Sequence, residues 1–352
     1  MSALLQSRAS GVHRRKVALL GTGTVGTALL ARWARLQRAS SLGDFDLQEV
    51  RNTRLRWKSA AGLDAAALVA TAPAPAREDA FDAPALGEGG IVIDATASDD
   101  TAAQHAAWLA AGLHVVTANK SGIGGEFARY RAITRHSDRY GDSATVGAGL
   151  PLLRSLRELR AGGDEVIAIA GVLSGSLAWL FHAYDGMRPF SALVREAGRL
   201  GYTEPDARLD LSGEDVRRKL LILARAAGSP LEPAQVVVES LVPSPLGALS
   251  RRDVDAGLHL LDTPLRERFQ AAHRLGRRLR FIARFDAQGA RIGLEAMAPD
   301  DPLALGGGCD NRVAIWSSRY RERPLVIQGP GAGAEVTAAA LLDDALRLTR
   351  RA

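Results

Sequence analysis

The stretch from Gly201 to Lys219 holds a dense group of ionisable side chains. Five carboxylates lie there beside the one ammonium group of Lys219: Glu204, Asp206, Asp210, Glu214 and Asp215. A lysine amine shifts its pKa readily when it is buried or crowded by other charges. The cluster is therefore a candidate for proton transfer.

Lysine is scarce in this chain, which makes the few lysines informative. The sequence has 45 lysines and arginines, but lysine occurs only at Lys16, Lys58, Lys120 and Lys219. Arginine does not release its proton in a protein, so a position that must exchange a proton needs lysine instead. We therefore single out Lys120 and Lys219 as candidates for proton chemistry.

The spacing of Asp215 and Lys219 admits two interpretations. Four positions separate them, which places both on one helix face with the acid on the N-terminal side, the favoured order for a pair. In the first interpretation the pair belongs to an active site. In the second, Ser212 to Asp215 is a capping box, and the pair is a surface ion pair worth about 0.3–0.5 kcal/mol. This stretch alone leaves both open.

The N-terminal part of the chain predicts a dinucleotide site. An apolar run from Lys16 to Leu20 is followed by GTGTVG and by an amphipathic helix. In the pattern G-x-G-x-x-G, the first glycine makes a tight turn, the second admits a pyrophosphate and the third lets the helix pack on the strand. The phosphates then face the helix N-terminus. The predicted cofactor-binding residues of this loop are Gly21, Gly23, Thr24, Val25 and Gly26.

The end of the second predicted strand bears on the choice of cofactor. In this fold an acid there holds the ribose 2′-hydroxyl of NAD, whereas an arginine accommodates the 2′-phosphate of NADP. The chain offers Arg51, Asn52 and Arg54. We therefore predict NADP, with NAD as the alternative if Glu49 reaches the ribose.

Two later strands and a second glycine loop extend the predicted cofactor site. Ligands bind at the carboxyl edge of a parallel sheet. Thr96 follows the apolar run IVID there, and Lys120 follows HVVT, so both are expected at the nicotinamide end of the cofactor. Gly331 and Gly333, in GPGAG ahead of the last helix, are further predicted contacts.

Composition limits the class of protein. A chain of 352 residues accommodates two domains. Its single cysteine, Cys309, excludes a disulfide within the chain, and no Cys/His cluster has zinc spacing. No apolar run approaches the roughly 18 residues of a membrane span, and the net charge of +6 is dispersed rather than gathered in a block. We expect a cytoplasmic protein without membrane or nucleic-acid partners.

The order of the predicted elements gives the fold class α/β, with a Rossmann-type nucleotide domain and a second α+β domain. We expect a flexible tail at residues 1–15, the nucleotide domain at 16–146 and the second domain at 147–330. The C-terminal helix, at 331–352, is expected to pack back on the nucleotide domain.

Five ordered motifs resemble homoserine dehydrogenase, and most closely the dehydrogenase module of bifunctional aspartokinase–homoserine dehydrogenases. They are the first glycine loop, TANK ending at Lys120, VGAGLP from Val146, LSGS from Leu173, and the stretch from Gly201 to Lys219. The resemblance implies reversible, NAD(P)H-dependent reduction of L-aspartate 4-semialdehyde to L-homoserine, in threonine and methionine biosynthesis. It also implies a homodimer formed through the second domain, which would bind the substrate.

The resemblance further implies roles for single side chains. Lys219 matches the family's catalytic lysine and Asp215 its companion acid. Glu204 matches the acid that binds the substrate amino group, and Asp210 matches a further acid of the substrate site. Lys120 matches the lysine beside the nicotinamide and the substrate, with a place in both catalysis and binding.

One departure from the family concerns a metal ion. Family members often bind Na⁺ or K⁺ through carbonyls that correspond to Val146, Ala148 and Leu150, together with an upstream acid. Ser143 stands where that acid would be. The cation is therefore expected only if the neighbouring Asp142 takes its place.

The sequence leaves two alternative functions. One is a dehydrogenase of the same scaffold that acts on another amino-acid aldehyde or ketone, against which the acids of residues 201–219 argue. The other is a non-catalytic dinucleotide-binding regulator, which we would expect to lack Lys120 and Lys219. With no aspartokinase segment before the module and no regulatory ACT segment after it, we also expect little inhibition by threonine.

Overall fold

The computed structural model describes residues 14–68, 74–75 and 81–350. Most of the tail predicted at residues 1–15 lies outside this part. The first strand begins at Arg15, the last residue of that predicted tail. In the described part, no helix is long and apolar enough to cross a membrane.

The first sheet is built from the N-terminal half of the chain. Its described strands are β1 (Arg15–Leu20), β2 (Phe45–Arg51), β3 (Leu55–Lys58), β4 (Ala74–Pro75), β5 (Ile91–Asp94), β6 (His114–Thr117) and β7 (Tyr140–Gly141). They lie in the order β4-β3-β2-β1-β5-β6-β7. The pairs β2–β3 and β3–β4 are antiparallel, and the other pairs are parallel. The parallel strands β5 and β6 are buried along their whole length, which explains their unbroken apolar runs.

Helices connect the parallel strands, so that the carboxyl ends of β1, β5 and β6 meet at one edge of the sheet. The helices are α1 (Thr24–Arg38), α2 (Asp99–Ala103), α3 (His105–Ala110) and α4 (Phe127–Thr134), with short 3-10 turns at Ala83–Leu86, Ser137–Arg139 and Ser143–Thr145. α1 is amphipathic and buries Leu29 and Trp33 in a core shared with Val17 of β1. This edge is where such folds bind ligands.

The second half of the chain forms a sheet with helices on one face. Its helices are α5 (Leu152–Ala161), α6 (Gly175–Ala183), α7 (Phe190–Arg199), α8 (Arg208–Leu211), α9 (Glu214–Ala226), α10 (Ser244–Gly247), α11 (Val254–Gly257) and α12 (Asp262–Arg274), with 3-10 turns at Pro233–Gln235 and Leu258–Leu261. Its described strands are β8 (Val166–Val172), β9 (Val236–Val238), β10 (Arg278–Asp286), β11 (Gly289–Met297), β12 (Asp310–Ser317) and β13 (Leu325–Pro330).

These strands lie in the order β13-β12-β8-β10-β11-β9, antiparallel except for the pair β9 and β11. Helices α6, α9 and α12 all pack against β10. The predicted fold class, a Rossmann-type domain followed by an α+β domain, is confirmed.

The last helix, α13 (Ala334–Thr349), returns to the first sheet and packs against α1. Its Leu341 and Leu348 share a core with Leu29 and Trp33. A second core cluster runs from Val92 in the first sheet to the apolar face of α9. The two halves of the chain are therefore joined by continuous apolar packing, which holds the edge of the first sheet opposite α9.

Candidate active site

The carboxylate of Asp215 contacts both candidate lysines. Lys219 Nζ lies 2.9 Å from Asp215 Oδ2, and Lys120 Nζ lies 3.3 Å from Asp215 Oδ1. Asp215 and Lys219 are one turn apart on α9, whereas Lys120 follows β6 in the first sheet. The fold thus brings together the three residues singled out for catalysis, from opposite halves of the chain.

Lys219 is held by two acceptors. Besides Asp215, its Nζ donates to the carbonyl oxygen of Leu173 at 2.7 Å, directly after β8. The Lys219 side chain is 12% exposed, whereas that of Asp215 is 47% exposed. An ammonium group has three N–H donors, so one of the three remains for a substrate oxygen.

The charge of Asp215 is stabilised by its neighbours. Burial opposes the charge, but the ammonium groups of Lys219 and Lys120 outweigh that effect and hold the pKa of the Asp215 carboxyl well below its usual value. The group therefore stays ionised at neutral pH. An ionised carboxylate in this place keeps both ammonium groups close together despite their repulsion.

The loop between α7 and α8 folds around the carboxylate of Asp210. Its Oδ2 accepts from the backbone N–H of Glu204 and its Oδ1 from the hydroxyl of Ser176, both at 2.8 Å. Ser176 Oγ lies 2.9 Å from Ser174 Oγ, at the start of α6. Asp210 thus fixes the backbone of Glu204, which is exposed.

Two carboxylates of the stretch do not face Lys219. Asp206 pairs with Arg208 at 2.7 Å, and Glu214 pairs with Arg217 at 2.5 Å. They belong to local ion pairs on their own turns. Of the five acids noted in the sequence, Asp215 is the one that contacts Lys219.

The interpretation of Ser212 to Asp215 as a capping box is wrong. The N-cap of α9 is Gly213, at a left-handed φ of 79°, and it has no side chain to cap with. The Ser212 hydroxyl instead donates to the carbonyl of Leu209 at 2.9 Å and accepts from the backbone N–H of Glu214 at 3.3 Å. Asp215 is left to bind the two lysines.

The first glycine loop leaves room for a phosphate. Gly21 has a φ of 97°, and a Cβ there would lie 2.9 Å from the carbonyl oxygen of Ala95. A Cβ on Gly26 would lie 2.0 Å from the carbonyl oxygen of Gly21, whereas a Cβ on Gly23 would meet open space among the described residues. α1 begins at Thr24, followed by Val25, so its N-terminus opens toward that space.

An acid at the end of β2 is already paired. Glu49 has a side chain 5% exposed, and its carboxylate lies 3.4 Å from Arg51 Nη1 and 3.7 Å from Lys58 Nζ. Its charge is thus engaged with two cations. Glu49 is poorly placed to accept a hydrogen bond from a ribose.

The residues after Arg51 form a tight turn beside the glycine loop. Asn52 Nδ2 donates to Thr22 Oγ1 at 2.7 Å, and Asn52 Oδ1 accepts from the backbone N–H of Arg54 at 2.8 Å. Arg54 is exposed. The turn therefore places basic side chains next to the predicted phosphate loop.

Thr96 and the residue before Lys120 meet at a buried carboxylate that the sequence analysis did not single out. Asp94, at the end of β5, accepts from the N–H and the hydroxyl of Thr96 at 2.9 and 2.7 Å. It also accepts from Asn119 Nδ2 at 3.0 Å and lies 3.0 Å from His105 Nε2. The sequence signal that could have revealed Asp94 is an acid at the end of a buried parallel strand.

The second glycine loop packs closely on β12. A Cβ on Gly331 would lie 1.9 Å from Cγ of Asn311, so only glycine fits there. Gly333, with a φ of 133°, is the N-cap of α13. The Asn311 amide is fully buried, and neither of its polar atoms has a partner among the described residues.

The residues around the predicted cation loop do not provide an acid for a cation. Both oxygens of Asp142, which is buried, accept from the guanidinium of Arg157, at 2.7 and 2.6 Å. The carboxylate raises the pKa of Arg157 further above its usual value. Ser143 donates its N–H and its hydroxyl to Asp344 of α13, at 2.8 and 2.9 Å.

The carbonyls themselves are also partly engaged. The carbonyl of Leu150 accepts from the N–H of Leu152 at 2.8 Å, which leaves Val146 and Ala148 of the predicted set. Within the described residues, no group of three or more His, Cys, Asp or Glu side chains is arranged to hold a metal. One hydrogen bond leaves a carbonyl oxygen with a second lone pair. The monovalent cation at Val146, Ala148 and Leu150 therefore stays a prediction, without an acid ligand from Asp142, which is paired with Arg157.

A Rossmann domain that faces a second, α+β domain across two lysines and a carboxylate belongs to the class of two-domain dinucleotide-binding proteins. A family model described as "Homoserine dehydrogenase, NAD binding domain" matches residues 21–143, and one described as "Homoserine dehydrogenase" matches residues 151–346. The chain belongs to the homoserine dehydrogenase family.

Individual relatives agree with the family models. The homoserine dehydrogenase of Schizosaccharomyces pombe is 33% identical over 94% of this chain and 94% of its own length. The bifunctional aspartokinase/homoserine dehydrogenase 2 of Escherichia coli is 41% identical over 99% of this chain, which spans 45% of that protein. A solved Candida auris protein of unknown function is 32% identical with a TM-score of 0.89, covering 96% of this chain and 99% of that one. The resemblance inferred from the sequence is confirmed.

Proposed function

We propose that this protein is a homoserine dehydrogenase, which reduces L-aspartate 4-semialdehyde to L-homoserine reversibly in threonine and methionine biosynthesis. The observation that carries the proposal is the carboxylate of Asp215 shared between Lys219 and Lys120. It places two ammonium groups at the carboxyl edge of a dinucleotide-binding sheet, where an aldehyde would meet the nicotinamide.

Lys219 acts as the general acid in this proposal. When bound, NAD(P)H supplies the hydride that reduces the aldehyde carbon. The free N–H of Lys219 gives a proton to the aldehyde oxygen as negative charge develops there, which is typically worth about 10²–10⁴-fold in rate. Asp215 and the Leu173 carbonyl orient the amine, and Asp215 also holds the ammonium group of Lys120 beside it.

The substrate amino group binds on the other side of this pair. Glu204 has an exposed carboxylate that suits an ammonium group, and Asp210 holds the Glu204 backbone in place at 2.8 Å. The remaining lone pairs of Asp210 add a second acceptor for the substrate. Lys120 contacts the opposite end of the substrate, beside the nicotinamide.

NADP is the preferred cofactor in this proposal. Glu49 is engaged with Arg51 and Lys58, so the acid that would hold a ribose hydroxyl of NAD is occupied. Arg54, which is exposed, offers a guanidinium group for the 2′-phosphate, and Arg51 lies beside it in its pair with Glu49. Asn52, Thr96 and Lys120 provide further contacts with the cofactor. The remaining contacts come from the two glycine loops, at Gly21, Gly23, Thr24, Val25, Gly26, Gly331 and Gly333.

The assembly proposed is a cytoplasmic homodimer joined through the second sheet. Ile167 of β8 and Val237 of β9 are 38% and 69% exposed in the single chain. Apolar side chains exposed on a sheet are a common interface feature. Light scattering after size exclusion tests this, and a monomer at micromolar concentration would contradict it.

Turnover assays test the reaction directly. Oxidation of NADPH and of NADH is followed with L-aspartate 4-semialdehyde, for the wild type and for Lys219→Arg. Arginine keeps the charge but releases no proton, so the variant should lose most of its kcat. Undiminished turnover of the variant would remove Lys219 from the proton transfer. Turnover of a different aldehyde but not of the semialdehyde would favour another dehydrogenase of this scaffold.

A further inference from the structure

A buried carboxylate lies behind the two turns that carry Thr96 and Lys120. Asp94 is fully buried. Its Oδ1 accepts hydrogen bonds from the N–H and the hydroxyl of Thr96. Its Oδ2 forms hydrogen bonds with Asn119 Nδ2 and His105 Nε2. Hydrogen bonds to a carboxylate are about twice as strong as neutral ones. Asp94 is therefore a rigid anchor at the carboxyl edge of β5.

Asn119 connects this anchor to the turn after β6. Asn119 is 2% exposed, and its Nδ2 donates to Asp94 at 3.0 Å and to the carbonyl of Ser98 at 2.8 Å. Its Oδ1 accepts from the N–H of Ser121 at 3.1 Å. The amide nitrogen of Asn119 thus binds the turn after β5. Its amide oxygen binds the backbone of Ser121, so that the Asn119 side chain bridges Lys120.

The backbone of Lys120 is fixed from several directions. The Asn119 N–H donates to Thr117 Oγ1 at 2.8 Å, and the Lys120 carbonyl accepts from the N–H of Gly124 at 2.7 Å. Only the side chain is left to move, and its Nζ reaches Asp215 at 3.3 Å. The position of the Lys120 ammonium group is therefore set by the backbone that Asn119 and Asp94 hold in place.

We propose that Asp94 and Asn119 are positioning residues, which hold Lys120 against Asp215 and so control the charge beside Lys219. The proposal rests on the function proposed above. A fully bonded polar network is rigid, and a displacement of about 1 Å in a catalytic constellation is enough to lower a rate about 10²-fold. Neither residue needs to touch the substrate for this effect.

A double-mutant cycle tests whether Asn119 acts through Lys120. Asn119→Ala should lower kcat about 10–100-fold, with a smaller change in KM for the cofactor, and Lys120→Met should lower kcat by at least as much. If the two act as one unit, the double variant stays within about twofold of Lys120→Met alone. A double variant that loses the product of the two single effects would overturn the proposal.

His105→Asn provides the matched control. His105 is as deeply buried and binds the same carboxylate oxygen, but it belongs to α3 and not to either turn. We expect it to lower the melting temperature as Asn119→Ala does, with kcat of the folded protein within about threefold of the wild type. An equal loss of kcat in both variants would show a structural role only and sink the idea. Asn119→Ser, a milder change, replaces Asn119→Ala should that variant not fold.

A spectroscopic readout separates this proposal from the proposed reaction. The chain has only four lysines, so reductive ¹³C-methylation, which keeps their charge, gives few NMR signals. Asn119→Ala should shift the Lys120 signal, and His105→Asn should leave it in place. An unshifted Lys120 signal in Asn119→Ala contradicts the positioning role. If the wild type does not turn over the semialdehyde but Asn119→Ala still shifts the Lys120 signal, the proposed reaction is contradicted and the positioning role is not.

Discussion

At the scale of single residues, the site is organised by one acceptor shared between two donors. Asp215 Oδ1 and Oδ2 each face a different lysine, so the carboxylate keeps two like charges together. A neutral amide of the same shape would offer only one oxygen and would leave the repulsion between the lysines uncompensated. The charge of Asp215, rather than its shape, is therefore what the site needs.

Asp215→Asn should lower kcat about 10²-fold or more, because Lys219 loses its orientation and its charge balance. The matched control is Glu214→Gln on the same turn, since the Glu214 side chain is 48% exposed and pairs with Arg217. That control should leave kcat within about threefold of the wild type. Initial rates at saturating semialdehyde measure both, and equal losses would argue against a special role for Asp215.

The pH dependence of stability gives a second test of the same carboxylate. Its pKa is depressed in the folded state, so the stabilising contribution is complete above the unfolded pKa of about 3.9 and is lost as pH falls below it. The difference in unfolding free energy between wild type and Asp215→Asn should be constant from about pH 5 to 8 and shrink below about pH 4. A difference that already shrinks near neutral pH would contradict the depressed pKa.

Arg54 is the residue on which the preference for NADP can be tested. Arg54→Gln should raise KM for NADPH about 10–100-fold, the loss expected for one charged hydrogen bond to a phosphate, and leave KM for NADH nearly unchanged. Arg38→Gln, at the far end of α1 and also exposed, is the control and should change neither. Equal effects on both cofactors in Arg54→Gln would exclude a contact with the 2′-phosphate.

At the scale of elements, local patterns were predicted well and long-range pairings were not. The β1, glycine loop and α1 unit follows from residues that are adjacent in sequence. The capping box from Ser212 to Asp215 was a wrong prediction, because the N-cap of α9 is Gly213 in a left-handed conformation, which the motif does not reveal. The short polar strand β3 forms because a turn at Asn52 brings it back onto β2. It has no apolar run of its own.

Contacts of the site between distant residues show the same limit. Asp94 and Asn119 are 25 positions apart and Ser143 and Asp344 are 201 apart. None of these residues stands out in its own sequence segment. The pairing of β5 with β6 brings Asp94 and Asn119 together, and the packing of α13 against the first sheet brings Ser143 and Asp344 together. The residues of the lysine cluster could be recognised because their chemistry is unusual in this sequence, not because their contacts could be foreseen.

The glycine loop offers a prediction that separates folding from binding. Gly26→Ala should destabilise the protein, because its Cβ would lie 2.0 Å from a backbone carbonyl. Gly23→Ala should fold normally, since its Cβ meets open space among the described residues, but it should bind NADPH at least about 10-fold more weakly because that space is the predicted phosphate site. Gly43→Ala, also in open space, is the control. Melting curves and fluorescence titration with NADPH measure the two effects.

At the scale of the whole molecule, α9 is attached to the first half of the chain at both ends. Lys120 meets Asp215 at its start, and Arg225 near its end donates to the carbonyl of Ile123 at 2.7 Å. Arg225 is 1% exposed and lies over the rings of Phe127 and Tyr130. These contacts hold α9 against α4 and the turn after β6. The distance between the two lysines is thus a property of the whole assembly.

The segment from residue 142 to residue 150 is a second connection between the halves, and side chains anchor it. Asp142 is bound to Arg157 of α5, and Ser143 to Asp344 of α13. We therefore expect rates and melting temperatures in KCl, NaCl and tetramethylammonium chloride of equal ionic strength to agree within about twofold and about 2 °C. Saturable activation by K⁺ or Na⁺ would contradict this expectation.

The ion pair between Asp142 and Arg157 predicts how the stability of the protein changes when the Arg157 guanidinium is removed. Arg157→Gln leaves the buried Asp142 carboxylate unpaired, which costs about 3–5 kcal/mol for a fully buried pair. Because the Arg157 side chain is 42% exposed, we expect the lower end of that range. Arg154→Gln, exposed on the same helix, should change stability by at most about 0.5 kcal/mol. Denaturant unfolding at pH 7 measures both. In Arg157→Gln the freed carboxylate should make stability rise with added K⁺ or Na⁺, whereas an equal rise in the wild type would mean that the loop already holds a cation.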